Sequence, residues 1–222
     1  MGVQPHRPSV TDPSPDIGSN SAVQQQTGEP VQPARYYQPL VDHQIMELIE
    51  LGCIQRANPS LVNPASINLR IGRTAKIEVP SIGPEGYYLG STMEQISLDQ
   101  TTGGQPFFLE PGAFLLTDVM EELNLPDDIE AQVILRSSAG RLGFDHAASG
   151  FVDPGFKGVL TLEFTNVRRW QKLPVFTGQQ LVQLRLFRLV DVPERGYGLT
   201  GRYQHSMMTE GNRDLEMSSG IS

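Results

Sequence analysis

The chain has 222 residues, 38% of them hydrophobic, which is enough for one substantial core with tails and too little for two full domains. Its 25 acidic residues outnumber 17 basic ones, for a formal charge of -8. That excludes the broad cationic surface that general nucleic-acid binding requires, so any phosphate must be held locally.

The single cysteine, Cys53, rules out an intramolecular disulfide framework and any CxxC metal knuckle. No apolar run reaches the roughly eighteen residues of a membrane helix, and the N-terminus lacks a hydrophobic leader. The expectation is a soluble, cytoplasmic protein with no membrane and no nucleic-acid partner. In chain order, residues 1–36 hold six prolines and almost no large aliphatics, the composition of a disordered Pro/Gln-rich arm. From residue 37 to 193 the sequence reads as one folded domain, and 194–222 as a C-terminal segment ending in a flexible tail.

The domain opens with a helix: Asp42 is the expected cap, Ile45, Met46, Leu48, Ile49 and Leu51 recur at helical spacing, and Gly52 comes after the last of them. Beyond Pro59 come short alternating or apolar pieces, SINLRI, FFLE, AFLLT, AQVILR, GVLTLEF and LVQLRLF, each bounded by Gly, Pro, Asn or Asp. With no regular helical spacers, this predicts an all-β fold, an antiparallel barrel or jelly roll with a short N-terminal helix.

The segment from Arg136 to Asn166 concentrates the chemistry. A predicted strand runs into Arg136, Ser137, Ser138, Ala139, Gly140 and Arg141, where hydroxyls and guanidinium groups suit an oxyanion; a solvated Ser/Gly turn is the plainer alternative. Ser149, Gly150, Phe151, Val152, Asp153, Pro154 and Gly155 then form a turn of fixed shape, as a base-and-sugar pocket needs. In GVLTLEF, Leu160, Leu162 and Phe164 share one face and Val159, Thr161 and Glu163 the other, so Glu163 points away from the apolar side. Taken alone, that pattern also describes a solvated carboxylate.

The ordered set of motifs resembles the dCTP deaminase family of the trimeric dUTPase superfamily over residues 40–205. NPASINLRIG (63–72), LEPGAF (109–114), RSSAGRLG (136–143), VDPGFKGVLTLE (152–163) and Leu181-Val182-Gln183-Leu184 are each similar to a family element, in the same order.

The resemblance implies a distorted dUTPase-like β-barrel assembled as a homotrimer, and hydrolysis of dCTP to dUTP and ammonia with Mg2+ carried on the substrate triphosphate. It implies Glu163, ten residues after Asp153, as the proton-shuttling acid, with Ser137 positioning the attacking water and Arg141 orienting Glu163. Arg136 and Ser138 would contact phosphates, Asp153 the 3'-hydroxyl, and Phe151 the base and sugar. Ser149 lies in the loop holding base and water, and Gln183 in the last strand motif. Tyr197, Arg202 and Gln204 resemble a tail that closes over the triphosphate, although Ser206 stands where a second glutamine is expected. Zinc is not expected, because none of His6, His43, His146 or His205 belongs to a zinc-deaminase motif.

A bifunctional branch of the family carries dUTP on to dUMP and diphosphate. Gly150 and Phe151 resemble that branch, whereas Ala148 and Ser149 depart from it. Release of dUTP is the first expectation and the bifunctional reaction the next. A non-catalytic nucleotide-binding regulator is the alternative from another class. The resemblance leaves open dUTP as a substrate and dTTP as an inhibitor.

Overall fold

A computed structural model describes residues 38–99, 106–147, 150–197, 201 and 204–207. The chain divides into two units, Met1–Ala34 and Arg35–Ser222; the first lies wholly outside the described residues, and the second carries the fold.

A two-residue strand, β1 (Gln38–Pro39), leads into helix α1 (Asp42–Glu50), which buries Ile45 and Leu48 one turn apart. The expected cap is displaced by one residue. Val41 occupies the N-cap, its amide donates to Gln44 Oε1 at 3.1 Å, and Asp42 is the first helical residue, its carboxylate accepting from the His43 amide at 2.8 Å. At the other end Gly52 (φ 75°) donates to Ile49 O and Cys53 to Leu48 O, the paired bonds of a left-handed glycine stop.

After β2 (Ile54–Gln55) and a short 3-10 turn (Pro59–Leu61) come β3 (Val62–Asn63), β4 (Ser66–Leu69), β5 (Ile71–Ile82), β6 (Tyr88–Ser97), β7 (Phe107–Leu109), β8 (Phe114–Asn124) and β9 (Ile129–Leu135). A second helix, α2 (Ser137–Leu142), precedes β10 (Phe144–His146), β11 (Phe151–Val152), β12 (Lys157–Asn166), β13 (Leu173–Val175) and β14 (Val182–Arg188). One six-stranded sheet runs β11-β9-β14-β4-β3 with β1 added on β14. The other runs β10-β12-β8-β5-β6 with β2 on β8, and β13-β7 form a pair. The strand pairs are antiparallel, giving the all-β, distorted jelly-roll arrangement expected from the sequence.

The faces follow from alternation. Along β8, Leu115, Thr117, Val119, Glu121 and Leu123 are buried while the residues between them are not. In β12 the alternation holds from Thr161 to Asn166, but a bulge between Val159 and Thr161 turns Val159 into the core and leaves Leu160 half-buried. Phe144 and Phe164 meet edge to face at 6.0 Å in the core, and buried Asn166 donates to Leu109 O and Gln171 O, both at 2.9 Å. Of the described helices, none is long and apolar enough to cross a membrane.

The pairing of β5 with β8 jumps from Ile71↔Val119 to Ala75↔Thr117, and the irregularity opens a cavity at the sheet surface. Here Asp118 lines a space of about 330 Å³ with Arg56, Arg73 and Thr74. Thr74 Oγ1 donates to Asp118 Oδ2 at 3.4 Å, whereas Oδ1 is buried without a hydrogen bond among the described residues. Burial raises the Asp118 carboxyl above the ordinary aspartate value, against the pull of its hydrogen bonds and of Arg56. Its folded state therefore prefers the proton, and the associated stability is present at acid pH and lost as pH rises through the folded value. Asp118→Asn should raise stability by about 1 kcal/mol at neutral pH, roughly 2–4 °C in Tm, with the gain vanishing below the ordinary aspartate range. Thermal denaturation at two pH values checks this.

Candidate active site

Glu163 sits in the middle of β12, with Leu116 of β8 across one side and β10 along the other. Its side chain is 28% exposed: it is on the face turned away from Leu162 and Phe164, and not in bulk solvent. His146, at the end of β10 and opposite Phe164, brings Nε2 to 3.9 Å from Glu163 Oε2, and the Ala147 amide donates to the Glu163 carbonyl at 3.3 Å. Burial pulls the His146 imidazole below its ordinary value; Glu163, Asp145 and the Ala147 backbone oppose that shift without reversing it. His146 is the neighbour that the motifs alone did not pair with Glu163.

The Arg/Ser cluster lies at the end of β9, as expected, and there forms a short helix. Arg136 is the N-cap of α2 in extended conformation (ψ 140°), and Gly143 (φ 109°) ends it in the left-handed region. Ser137, Ser138 and Arg141 are exposed on α2, and none makes a side-chain hydrogen bond or ion pair among the described residues. Arg136 is tied down: Nη1 donates to Gln180 O at 2.9 Å and lies 3.4 Å from Gln180 Oε1. Gln180 Oε1 also accepts from Asn68 Nδ2 at 3.1 Å, Asn68 Oδ1 accepts from Asn63 Nδ2 at 3.1 Å, and Ser66 Oγ donates to Gln183 Oε1 at 3.2 Å. Gln183 therefore belongs to a polar network that joins β4 to β14 and holds Arg136, which its motif alone did not show.

The turn from Gly150 to Phe156 is closely constrained. Val133 N donates to Gly150 O at 2.6 Å, and a Cβ on Gly150 would collide with the Val133 carbonyl, so the chain can pass there only as glycine. Phe151 is 59% exposed beside buried Val152. Asp153 begins the turn that returns at Phe156, and burial, with Glu130 nearby, raises its carboxyl above the ordinary value. Ser149 and Arg202 lie outside the described residues.

The described part of the tail folds back onto this turn. Gln204 Nε2 donates to Gly155 O at 3.1 Å, its Oε1 accepts from Lys157 N at 2.9 Å, and Tyr197 packs on Phe156 at 5.8 Å. Ser206 bridges Gly158, and Val159 N donates to Ser206 O at 2.7 Å. A Cβ on Gly158, whose φ is 135°, would stand 2.7 Å from Ser206 O. Gly158→Ala should therefore cost about 1–3 kcal/mol and unseat residues 204–206, seen as faster hydrogen exchange at Val159 and His205 with helix α1 unaffected.

A single chain thus brings Glu163 and His146 together, straps the Asp153 turn with Gln204 at the start of β12, and separately anchors Arg136 and Gln183. It does not join Ser137 or Arg141 to Glu163 through any described contact. The cavity at Asp118 borders the same sheet face, since Asp118 pairs with Thr161, but Glu163 is not among its lining residues.

Residues 40–189 match the profile of a family described as dCTP deaminase-like. A dUMP-forming dCTP deaminase of Nocardioides sp. is 36% identical over 177 residues, covering 74% of this chain and 89% of that protein. One from Thermobifida fusca is 36% identical over 168 residues, covering 72% and 82%. The crystal structure of 2'-deoxycytidine 5'-triphosphate deaminase from Agrobacterium tumefaciens superposes with a TM-score of 0.54 at 27% identity, over 68% of this chain and about half (48%) of that one. With the profile spanning most of the described fold, and the motifs lying where the sheets place them, the chain belongs to the dCTP deaminase-like family.

Proposed function

We propose that the chain catalyses hydrolytic deamination of dCTP and carries the uracil nucleotide on to dUMP and diphosphate. The observation that carries the reading is the placement of Glu163: a half-buried carboxylate on the polar face of β12, in contact range of buried His146. In the deamination, water attacks C4 of the cytosine while Glu163 takes its proton and passes it to N3. The hydroxyl proton then moves through the same carboxylate to the amino group, the C4–N bond breaks and ammonia leaves. In the second reaction water attacks the α-phosphorus and diphosphate departs.

Asp153 would accept the 3'-hydroxyl and Phe151 would border the base. Ser137 and Arg141, exposed and without side-chain partners among the described residues, would meet Glu163 across an interface of a homotrimer, Ser137 holding the water and Arg141 the carboxylate. Arg136 and Ser138, with Arg202 as the tail candidate, would face the triphosphate, while Gln204 holds the tail on the Asp153 turn. Mg2+ would neutralise phosphate charge when bound through the substrate.

Sequence reasoning ranked release of dUTP ahead of dUMP. The relatives' description as dUMP-forming, together with Gly150 and Phe151, favours the reverse order. Product separation after incubation with dCTP and Mg2+ tests it. The expected outcome is dUMP and diphosphate with little free dUTP; accumulation of dUTP would return the chain to the single-activity reading.

A further inference from the structure

The imidazole of His146 takes no part in the proton transfers assigned to Glu163, yet it is the least accommodated polar group beside that residue. Its side chain is 6% exposed, and Nε2 is buried with no hydrogen-bond partner among the described residues. The ring is clamped edge-on against Phe164 at 5.4 Å and 66°, so it cannot swing to solvent without opening the core. Glu163 Oε2 lies 3.9 Å from Nε2, about 1 Å beyond a charge-assisted hydrogen bond. A buried, unpaired nitrogen that close to a carboxylate costs free energy unless the gap closes.

The charges around the ring define its state. β12 contributes Glu163 and β10 contributes Asp145; α2, which packs against β10, offers only Arg141, whose side chain is exposed. Burial outweighs the two carboxylates and keeps the ring neutral, so it carries one N–H to place. Two acceptors compete for that proton: the Ala147 backbone and the Glu163 carboxylate. An ionised carboxylate is the stronger acceptor and selects the Nε2–H form.

We propose that His146 is a positioning residue for Glu163, its neutral Nε2–H donating to Oε2 so that Oε1 is held toward the substrate. The inference rests on Glu163 being the shuttling acid. A carboxylate on a half-exposed strand face samples several rotamers, only some of which reach the base. Fixing one oxygen narrows that set and keeps the other directed at the base for both proton transfers.

Side-chain geometry supplies the test. A glutamine amide can place its N–H where Nε2 stands, whereas asparagine reaches only to the level of Nδ1. His146→Leu should lower kcat for ammonia release about 10–100-fold, the range seen when the partner that orients a functional side chain is removed, with KM changed less than about threefold. His146→Gln should recover most of that loss and His146→Asn should not. Equal recovery by Gln and Asn, or a wild-type kcat in the Leu variant, would overturn the proposal.

A second readout needs no turnover. 15N NMR of the full-length protein should show the His146 Nε2–H tautomer, shifting toward Nδ1–H in Glu163→Gln. A tautomer indifferent to that change would refute the contact even if dCTP is deaminated. Conversely, an Nε2–H signal lost in Glu163→Gln would stand even if the protein released no ammonia, in which case the functional reading alone would fail.

Discussion

Glu163→Gln should abolish ammonia release from dCTP, with kcat falling by about 10²–10⁴-fold or more, while affinity for the nucleotide stays within a few fold of wild type. The amide matches the carboxylate in shape and still fills the same half-buried position beside Leu116, so packing and the β8–β12 register have no reason to change. What it loses is the capacity to accept a proton from water, and in the proposed reaction both transfers pass through that atom pair. The proposed binding contacts come from other elements, the Asp153 turn and the segments expected around the triphosphate. Equilibrium binding and single-turnover kinetics on the same preparation separate the two effects. Full binding without turnover supports the assignment and also disposes of the purely regulatory alternative, since a sensor needs no proton shuttle. Near wild-type turnover would remove Glu163 from the chemistry.

The largest stability effect should come from Arg70→Met. Glu121 is fully buried on β8, and both its oxygens are engaged by one residue: Arg70 Nε donates to Oε1 at 2.7 Å and the Arg70 amide to Oε2 at 2.9 Å. The Arg70 guanidinium also donates to the Arg56 carbonyl, and Arg70 O accepts from Met120 N at 2.8 Å, so this pair joins the β4–β5 junction to β8. Removing the guanidinium strands a charge in the core. The expected loss is about 3–5 kcal/mol, or roughly 10 °C in Tm for a domain of this size. Adding Glu121→Gln should return part of it, because the neutral amide oxygen can still accept from the Arg70 amide. A double variant no more stable than Arg70→Met would show that packing of the arginine stem, and not the buried charge, sets the cost.

The strands that could be read from sequence are those with one buried face. LVQLRLF became β14, and the half of GVLTLEF after the bulge kept its alternation, which is why the polar side of that strand could be assigned to Glu163 from the pattern alone. The β5–β6 ribbon was not legible. Beyond Ile77, β5 pairs only with β6, both faces remain largely exposed, and Pro80 is tolerated because that edge has no further described strand to serve. Helix α2 was hidden by Ser-Ser-Ala-Gly, a weak helical sequence held by its ends and by burial of Ala139.

Within the candidate site, motif spacing singles out Glu163 and Asp153, but motifs are local and the contacts around them are not. The register of β10 on β12 creates the approach of His146 to Glu163, and the pairing of β4 with β14 creates the network that holds Arg136. Gln204 was expected to grip phosphate; in the described fold its amide is spent on Gly155 and Lys157, making it the strap that fixes the turn.

The most direct measurement of the proposed chemistry is the stoichiometry of ammonia released per dCTP consumed, monitored with metal-stripped protein resupplied with Mg2+ alone. One ammonia for each nucleotide converted, lost in Glu163→Gln, is the predicted result. Uracil nucleotide hydrolysis with no ammonia formed from dCTP would contradict it.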